Sequence, residues 1–223
     1  PKMGTKMETV KRQGIDIVFA VDISKSMLAE DVAPNRLEKT KQIVSQIINQ
    51  LGNDRVGIVG YAGSAYPVLP MTTDYSIAKM YLQSMNTNMV SSQGTAFNDA
   101  IQLAVDFFDV KDTSKLIILI SDGEDHGEGA EDAIEMAKEK GVRILTIGVG
   151  TEKGGPIPLR DDKGTIASYK KDSEGQTVTT KLYPEVLKNI ADKTKSKYIV
   201  GSSTKEVVEE LKKSLDKIEK SEF

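Results

Sequence analysis

Asp22, Ser24 and Ser26 stand at alternate positions directly after the apolar run Ile15-Asp-Ile-Val-Phe-Ala-Val21. One carboxylate and two hydroxyls therefore share a single turn at the end of a strand-like segment. All three offer hard oxygen ligands with little competing soft chemistry. Such a set suits Mg²⁺, or a similar divalent cation such as Mn²⁺ or Ca²⁺, better than zinc or copper.

Two further segments carry oxygen donors. Ser92-Gln-Gly-Thr95 lies in a polar loop before a helical pattern, and Ser121-Asp-Gly123 ends the apolar run Leu116–Ile120. In an open parallel sheet, ligands bind outside the carboxyl ends of the strands, where strand order reverses. If the strands of Asp22 and Asp122 are neighbours, both carboxylates sit at that edge and Thr95 comes across from its loop. Asp22, Ser24, Ser26, Thr95 and Asp122 would then converge. Singly, each has a plainer reading: Ser24, Ser26 or Thr95 as a helix cap, Asp122 as a turn residue. The order of the five and their places at strand ends make the set far more specific than any member.

The elements that must position them alternate. Apolar runs at Ile15–Val21, Arg55–Tyr61, Lys115–Ser121, Val142–Val149 and Tyr198–Val200 read as strands, several buried on both faces. Helical patterns lie between them. Leu37, Thr40, Val44, Ile47, Ile48 and Leu51 mark one face of a helix closed by Gly52. Asp74–Met85, Phe97–Phe108, Ala130–Lys140 and Thr204–Lys220 read as helices, the last with Val208, Leu211, Leu215 and Ile218 inward. Another helix starts near Pro184. This alternation predicts an α/β fold with a mostly parallel sheet and helices on both faces. Ser64–Leu69 returns so soon after its predecessor that it predicts an antiparallel edge strand. The Gly-, Pro- and charge-rich stretch 151–182 breaks the rhythm. It reads as an inserted hairpin, with Thr165–Lys170 and Gln176–Lys181 flanking the turn Asp172-Ser-Glu-Gly175.

Composition narrows the classes. The 223 residues carry a net charge of −3, so no global basic field favours nucleic acid. The absence of cysteine excludes disulfides, zinc–thiolate sites and thiol catalysis. No apolar run approaches the roughly 18 residues that span a bilayer. The chain opens on Pro1 rather than Met. The expectation is a piece of a longer protein, with 1–14 a flank following a missing membrane segment and 15–223 the domain.

Between Asp122 and Glu135 there are seven acidic residues and no Lys or Arg. Glu131 and Asp132 suit the N-terminus of the next helix, whereas Glu124 and Asp125 suit the rim of a cation site. His126 is the single histidine and reads as an exposed loop residue, since the oxygen set leaves it no role. Met27, Met85 and Met89 read as packing residues.

The motif Asp22-Ile-Ser24-Lys-Ser26, then Thr95, then Asp122-Gly123 resembles the metal-ion-dependent adhesion site of von Willebrand factor A (VWA) domains. Pro34-Asn-Arg-Leu-Glu38, Ala62-Gly-Ser-Ala-Tyr66, Leu69-Pro-Met-Thr-Thr-Asp74, Ser121-Asp-Gly-Glu-Asp-His126 and Ile147-Gly-Val-Gly-Thr151 add a likeness to bacterial Bat-type aerotolerance proteins. The resemblance implies a Rossmann-like, doubly wound, mostly parallel sheet with one antiparallel edge strand. It implies a Mg²⁺-type site in which Ser24, Ser26 and Thr95 bind the cation directly, and Asp22 and Asp122 do so directly or through water. It further implies that an Asp or Glu of a partner protein completes the shell, in a membrane-anchored complex outside the cytoplasm. Specificity would come from the loops Tyr66–Thr73, Met89–Gln93 and Glu124–Gly129. Hydroxyls are neutral, so such a site carries only two formal negative charges and leaves the cation open to an incoming carboxylate.

Enzymatic rivals fit less well. A Mg²⁺-dependent phosphohydrolase could use Asp22 but wants a second acid where Ser24 stands. A serine hydrolase lacks its Gly-x-Ser-x-Gly elbow. Gly148-Val-Gly150 lacks the third glycine and following helix of a dinucleotide fingerprint, and no Walker A loop exists.

Overall fold

Eight consecutive buried residues, Ile15–Asp22, form β1, the strand from which the rest of the molecule is laid out. The computed structural model describes residues 14–90, 96–124 and 129–221. After β1 come α1 (Arg36–Asn49), β2 (Arg55–Tyr61), β3 (Ala65–Thr72), α2 (Tyr75–Ser84), α3 (Phe97–Asp106), β4 (Ser114–Ser121), α4 (Glu131–Glu139) and β5 (Val142–Gly148). Four short strands follow, β6 (Gly155–Pro156), β7 (Pro158–Arg160), β8 (Ile166–Tyr169) and β9 (Thr179–Thr180), then α5 (Pro184–Lys193), β10 (Tyr198–Val200) and α6 (Thr204–Ser221).

Among the described residues, the main sheet has six strands in the order β10-β5-β4-β1-β2-β3. All pairs are parallel except β2 with β3. β1 sends the chain to β2 and β3 on one side, and the chain then crosses to β4 on the other, so strand order reverses between β1 and β4. The doubly wound architecture with one antiparallel edge is as the sequence predicts. The edge strand β3 runs to Thr72, beyond the expected Leu69, and carries the exposed Pro67 and Pro70.

Alternation along the strands feeds two cores. Ile17, Phe19 and Val21 of β1 pack with Ile43, Val44 and Ile47 of α1, Ala78 and Leu82 of α2, and Leu211 and Leu215 of α6. Val18 and Ala20 point the other way, to Phe97 and Ile101 of α3, Ala133 and Ile134 of α4, and Leu187 and Ile190 of α5. Asp74 and Asn35 cap α2 and α1, accepting from the Ile77 and Glu38 amides at 3.1 and 2.8 Å. On α6 the fully buried valine is Val207, and Val208 packs only at the margin.

The insertion pairs differently from its sequence reading. β8 runs antiparallel to β7, and β6 to β9, so the expected pairing of 165–170 with 176–181 survives only at its turn end, where the Val178 amide donates to the Lys170 carbonyl at 2.9 Å. The turn at Asp172–Gly175 does form, with the Asp172 amide donating to the Gln176 carbonyl at 2.8 Å and a bridge between Lys171 and Thr177. Apolar content decides the partner: Ile157 is buried beside β7, whereas the residues around Gln176 are exposed.

Candidate metal centre

The register β1–β4 aligns Val21 with Ile120. Asp22 therefore lies beside Ser121, and Asp122 one step beyond, at the carboxyl end where strand order reverses. Both carboxylates are fully buried.

Ser24 starts a 3-10 turn, Lys25–Leu28, but its side chain makes no capping bond. Its hydroxyl instead donates to Asp22 Oδ1 at 2.6 Å, and its amide donates to the same oxygen at 2.9 Å. The Ser24 and Ser26 hydroxyl oxygens are 3.1 Å apart. Ser26 Oγ donates to Asp122 Oδ2 at 2.5 Å. Asp22, Ser24, Ser26 and Asp122 thus form one continuous row of oxygens. Thr95, the fifth expected donor, lies outside the described residues, as do Asp125, His126 and much of the loops 89–93 and 124–129.

Local backbone chemistry fixes the row. Gly123 takes φ +76°, and a Cβ there would fall 1.9 Å from the Tyr183 carbonyl oxygen. Tyr183 in turn donates its amide to the Asp122 carbonyl at 2.8 Å, so the start of α5 holds the Asp122 backbone. The Glu124 amide donates to Asp122 Oδ1 at 3.0 Å.

Burial, then the nearby Asp122 charge, pushes the Asp22 carboxyl up to about 7, against the hydrogen bonds from Ser24 and Ser121. A group with that preference for its neutral form welcomes a cation, which supplies the missing positive charge.

Three contributors were not singled out by sequence pattern. Ser121 Oγ donates to Asp22 Oδ2 at 2.7 Å and accepts from the Gly123 amide at 2.9 Å. Arg36, fully buried, donates to Asp122 Oδ2 at 3.0 Å. Asp31 receives the Arg36 Nε and Nη2 groups at 2.8 and 2.9 Å. Burial raises the Asp31 carboxyl, but Arg36 and Thr151 outweigh it and hold the group below its ordinary value.

The donor set fits a small hard cation. Around an ion with metal–oxygen bonds of about 2.1 Å, adjacent octahedral ligands lie about 3 Å apart, the spacing of the two serine hydroxyls. Among the described residues, no three His, Cys, Asp or Glu side chains cluster as a metal site. The centre is instead built from two carboxylates and neutral hydroxyls. Of the neighbouring acids, Glu131 pairs with Lys193 at 2.8 Å on the surface, and with Asp132 occupies the first turn of α4. Met27 and Met85 are buried as packing residues, whereas Met89 is exposed.

The family model for the von Willebrand factor type A domain matches residues 16–213. The chain belongs to the VWA family. Its structure is similar to BatB from Bacteroides thetaiotaomicron, with a TM-score of 0.86 and 39% identity over 92% of this chain and 99% of that one. It is also similar to an aerotolerance-related membrane protein from Bacteroides fragilis, with a TM-score of 0.85 and 34% identity over 91% and 99% of the two chains. A UPF0353 protein of Mycolicibacterium paratuberculosis is 31% identical over 70% of this chain and 51% of its own length. The chain thus spans about half of that curated relative. Among the described residues of this VWA domain, no helix is long and apolar enough to cross a membrane.

Proposed function

We propose that this VWA domain is a non-enzymatic, cation-dependent protein-binding module. Ser24, Ser26 and Thr95 hold a divalent cation directly, Mg²⁺ first and Mn²⁺ or Ca²⁺ as alternatives. Asp22 and Asp122 act directly or through water, and an Asp or Glu carboxylate of a partner protein completes the shell. The observation that carries this reading is the unbroken row of Asp22, Ser24, Ser26 and Asp122 oxygens, spaced at 2.6, 3.1 and 2.5 Å at the sheet edge. Such a cation would polarise an incoming carboxylate and bind it in place of water.

Likeness to BatB and to an aerotolerance-related membrane protein supports a further step. The domain would belong to a longer, membrane-anchored bacterial protein of a stress or aerotolerance complex, facing away from the cytoplasm. Residues 1–14 would lead from the anchor, and 15–223 would form the binding domain.

Calorimetry of the wild type with Mg²⁺ and Mn²⁺ tests the core of the proposal. Binding that Asp122→Ala strongly weakens supports it, and no binding by the wild type overturns it. Metal-dependent turnover of phosphate esters, lost in Asp22→Ala, would favour the phosphohydrolase instead.

A further inference from the structure

Arg36 is a fully buried charge hydrogen-bonded to four residues. Its Nε and Nη2 donate to the two oxygens of Asp31 at 2.8 and 2.9 Å. Its Nη1 donates to Asp122 Oδ2 at 3.0 Å, to Thr180 Oγ1 at 3.1 Å and to the Ser26 carbonyl at 3.4 Å. Its Nη2 also reaches the Thr180 carbonyl at 2.8 Å. Thr180 belongs to β9, so one guanidinium joins the oxygen row to the inserted strands. Asp31 makes a second tie at the other end of the insertion, accepting the Thr151 amide and hydroxyl at 2.8 and 2.9 Å. Gly150 passes so close above that a Cβ there would lie 3.0 Å from Arg36 Nε.

We propose that Arg36 is a positioning residue that tunes the cation site to accept a carboxylate and fastens the 155–180 insertion to that site. The inference rests on the cation-binding reading above. Asp22, Asp31 and Asp122 bring three negative charges when ionised, and Arg36 cancels one. A divalent cation then balances the cluster, leaving no excess negative charge to repel a partner's Asp or Glu. Without Arg36 the same cluster would hold the cation more tightly and the partner carboxylate less well. Lysine would keep the charge but not the fork that reaches Asp31, Asp122 and Thr180 at once.

Titration with Mn²⁺, followed by acetate as the carboxylate probe, separates these effects, with hydrogen exchange of residues 155–180 as a readout independent of metal. Arg36→Met should bind Mn²⁺ about tenfold tighter and acetate several-fold more weakly. Thr180→Val should keep Mn²⁺ affinity within about twofold of wild type, and in both Thr180→Val and Arg36→Lys the insertion should exchange faster. The two milder variants decide the tethering role even if Arg36→Met does not fold. Unchanged exchange in both, or a folded Arg36→Met with wild-type or weaker Mn²⁺ affinity, overturns the inference. Failure of the wild type to bind Mn²⁺ at all instead overturns the cation reading on which it rests.

Discussion

The Ser26 hydroxyl lies 2.5 Å from the Asp122 carboxylate, although 96 positions separate the two residues in sequence. The contact exists because β1 and β4 are neighbours and end level with one another. Hydroxyl and carboxylate come from opposite windings of the sheet, so a cation held between them would bridge the two halves of the fold.

Removing either carboxylate charge should abolish most of that bridge. Asp22→Asn and Asp122→Asn are expected to weaken Mn²⁺ binding about 100-fold or more, since a hard cation loses its anionic donors. Calorimetry on variants shown to unfold cooperatively measures this. Affinity within threefold of wild type would remove these residues from the site.

Ser26→Ala should be milder. It deletes one neutral donor, so about a tenfold loss of Mn²⁺ affinity is expected, with a stability change of about 1 kcal/mol. Parallel titration and urea denaturation separate the two effects. A large stability loss with normal cation affinity would make Ser26 a structural residue only.

Cation binding should depend on pH near neutrality. With the Asp22 carboxyl at about 7, a cation must displace its proton at lower pH. Affinity should fall as pH drops from 7 to 5, with about one proton released per cation bound near pH 6. Calorimetry in buffers of different ionisation heat reads the proton directly, and zero release would contradict the raised value. Cation-free stability carries the opposite trend. The folded form binds the Asp22 proton more tightly than the unfolded chain, so this group's contribution is full below about pH 4 and fades as pH rises through 7. Saturating Mn²⁺ should flatten that decline.

Gly123→Ala should cost about 3 kcal/mol or more. The residue sits at φ +76°, and the added carbon would meet the Tyr183 carbonyl at 1.9 Å. Denaturant unfolding tests it. A loss below about 1 kcal/mol would mean that the Asp122–Tyr183 segment shifts freely.

The alternating strands, the antiparallel edge and four of the five candidate donors that the fold brings together were legible in the sequence because each depends on local pattern. Asp22 and Asp122 announce themselves by ending apolar runs. Arg36 does not, because its position in Pro34-Asn-Arg-Leu-Glu38 says nothing of Asp122, 86 residues away. Only the folded sheet brings them together. The insertion was only partly legible for a related reason: its strands are two to four residues long and mostly exposed, so period-2 alternation had little burial to record. Pairing there is decided by Ile157 and Thr180 meeting the body of the domain.

Both margins of the main sheet are poor templates. On one side, Pro67 and Pro70 deprive the eight-residue β3 of two amide donors, and its register with β2 slips beside Ile58. On the other, β10 offers only three residues. Among the described residues, neither margin offers an unbroken ladder along which the sheet could be extended edge to edge. Side-to-side growth is discouraged by the backbone itself, which leaves the end of the sheet as the face on which recognition can be selective.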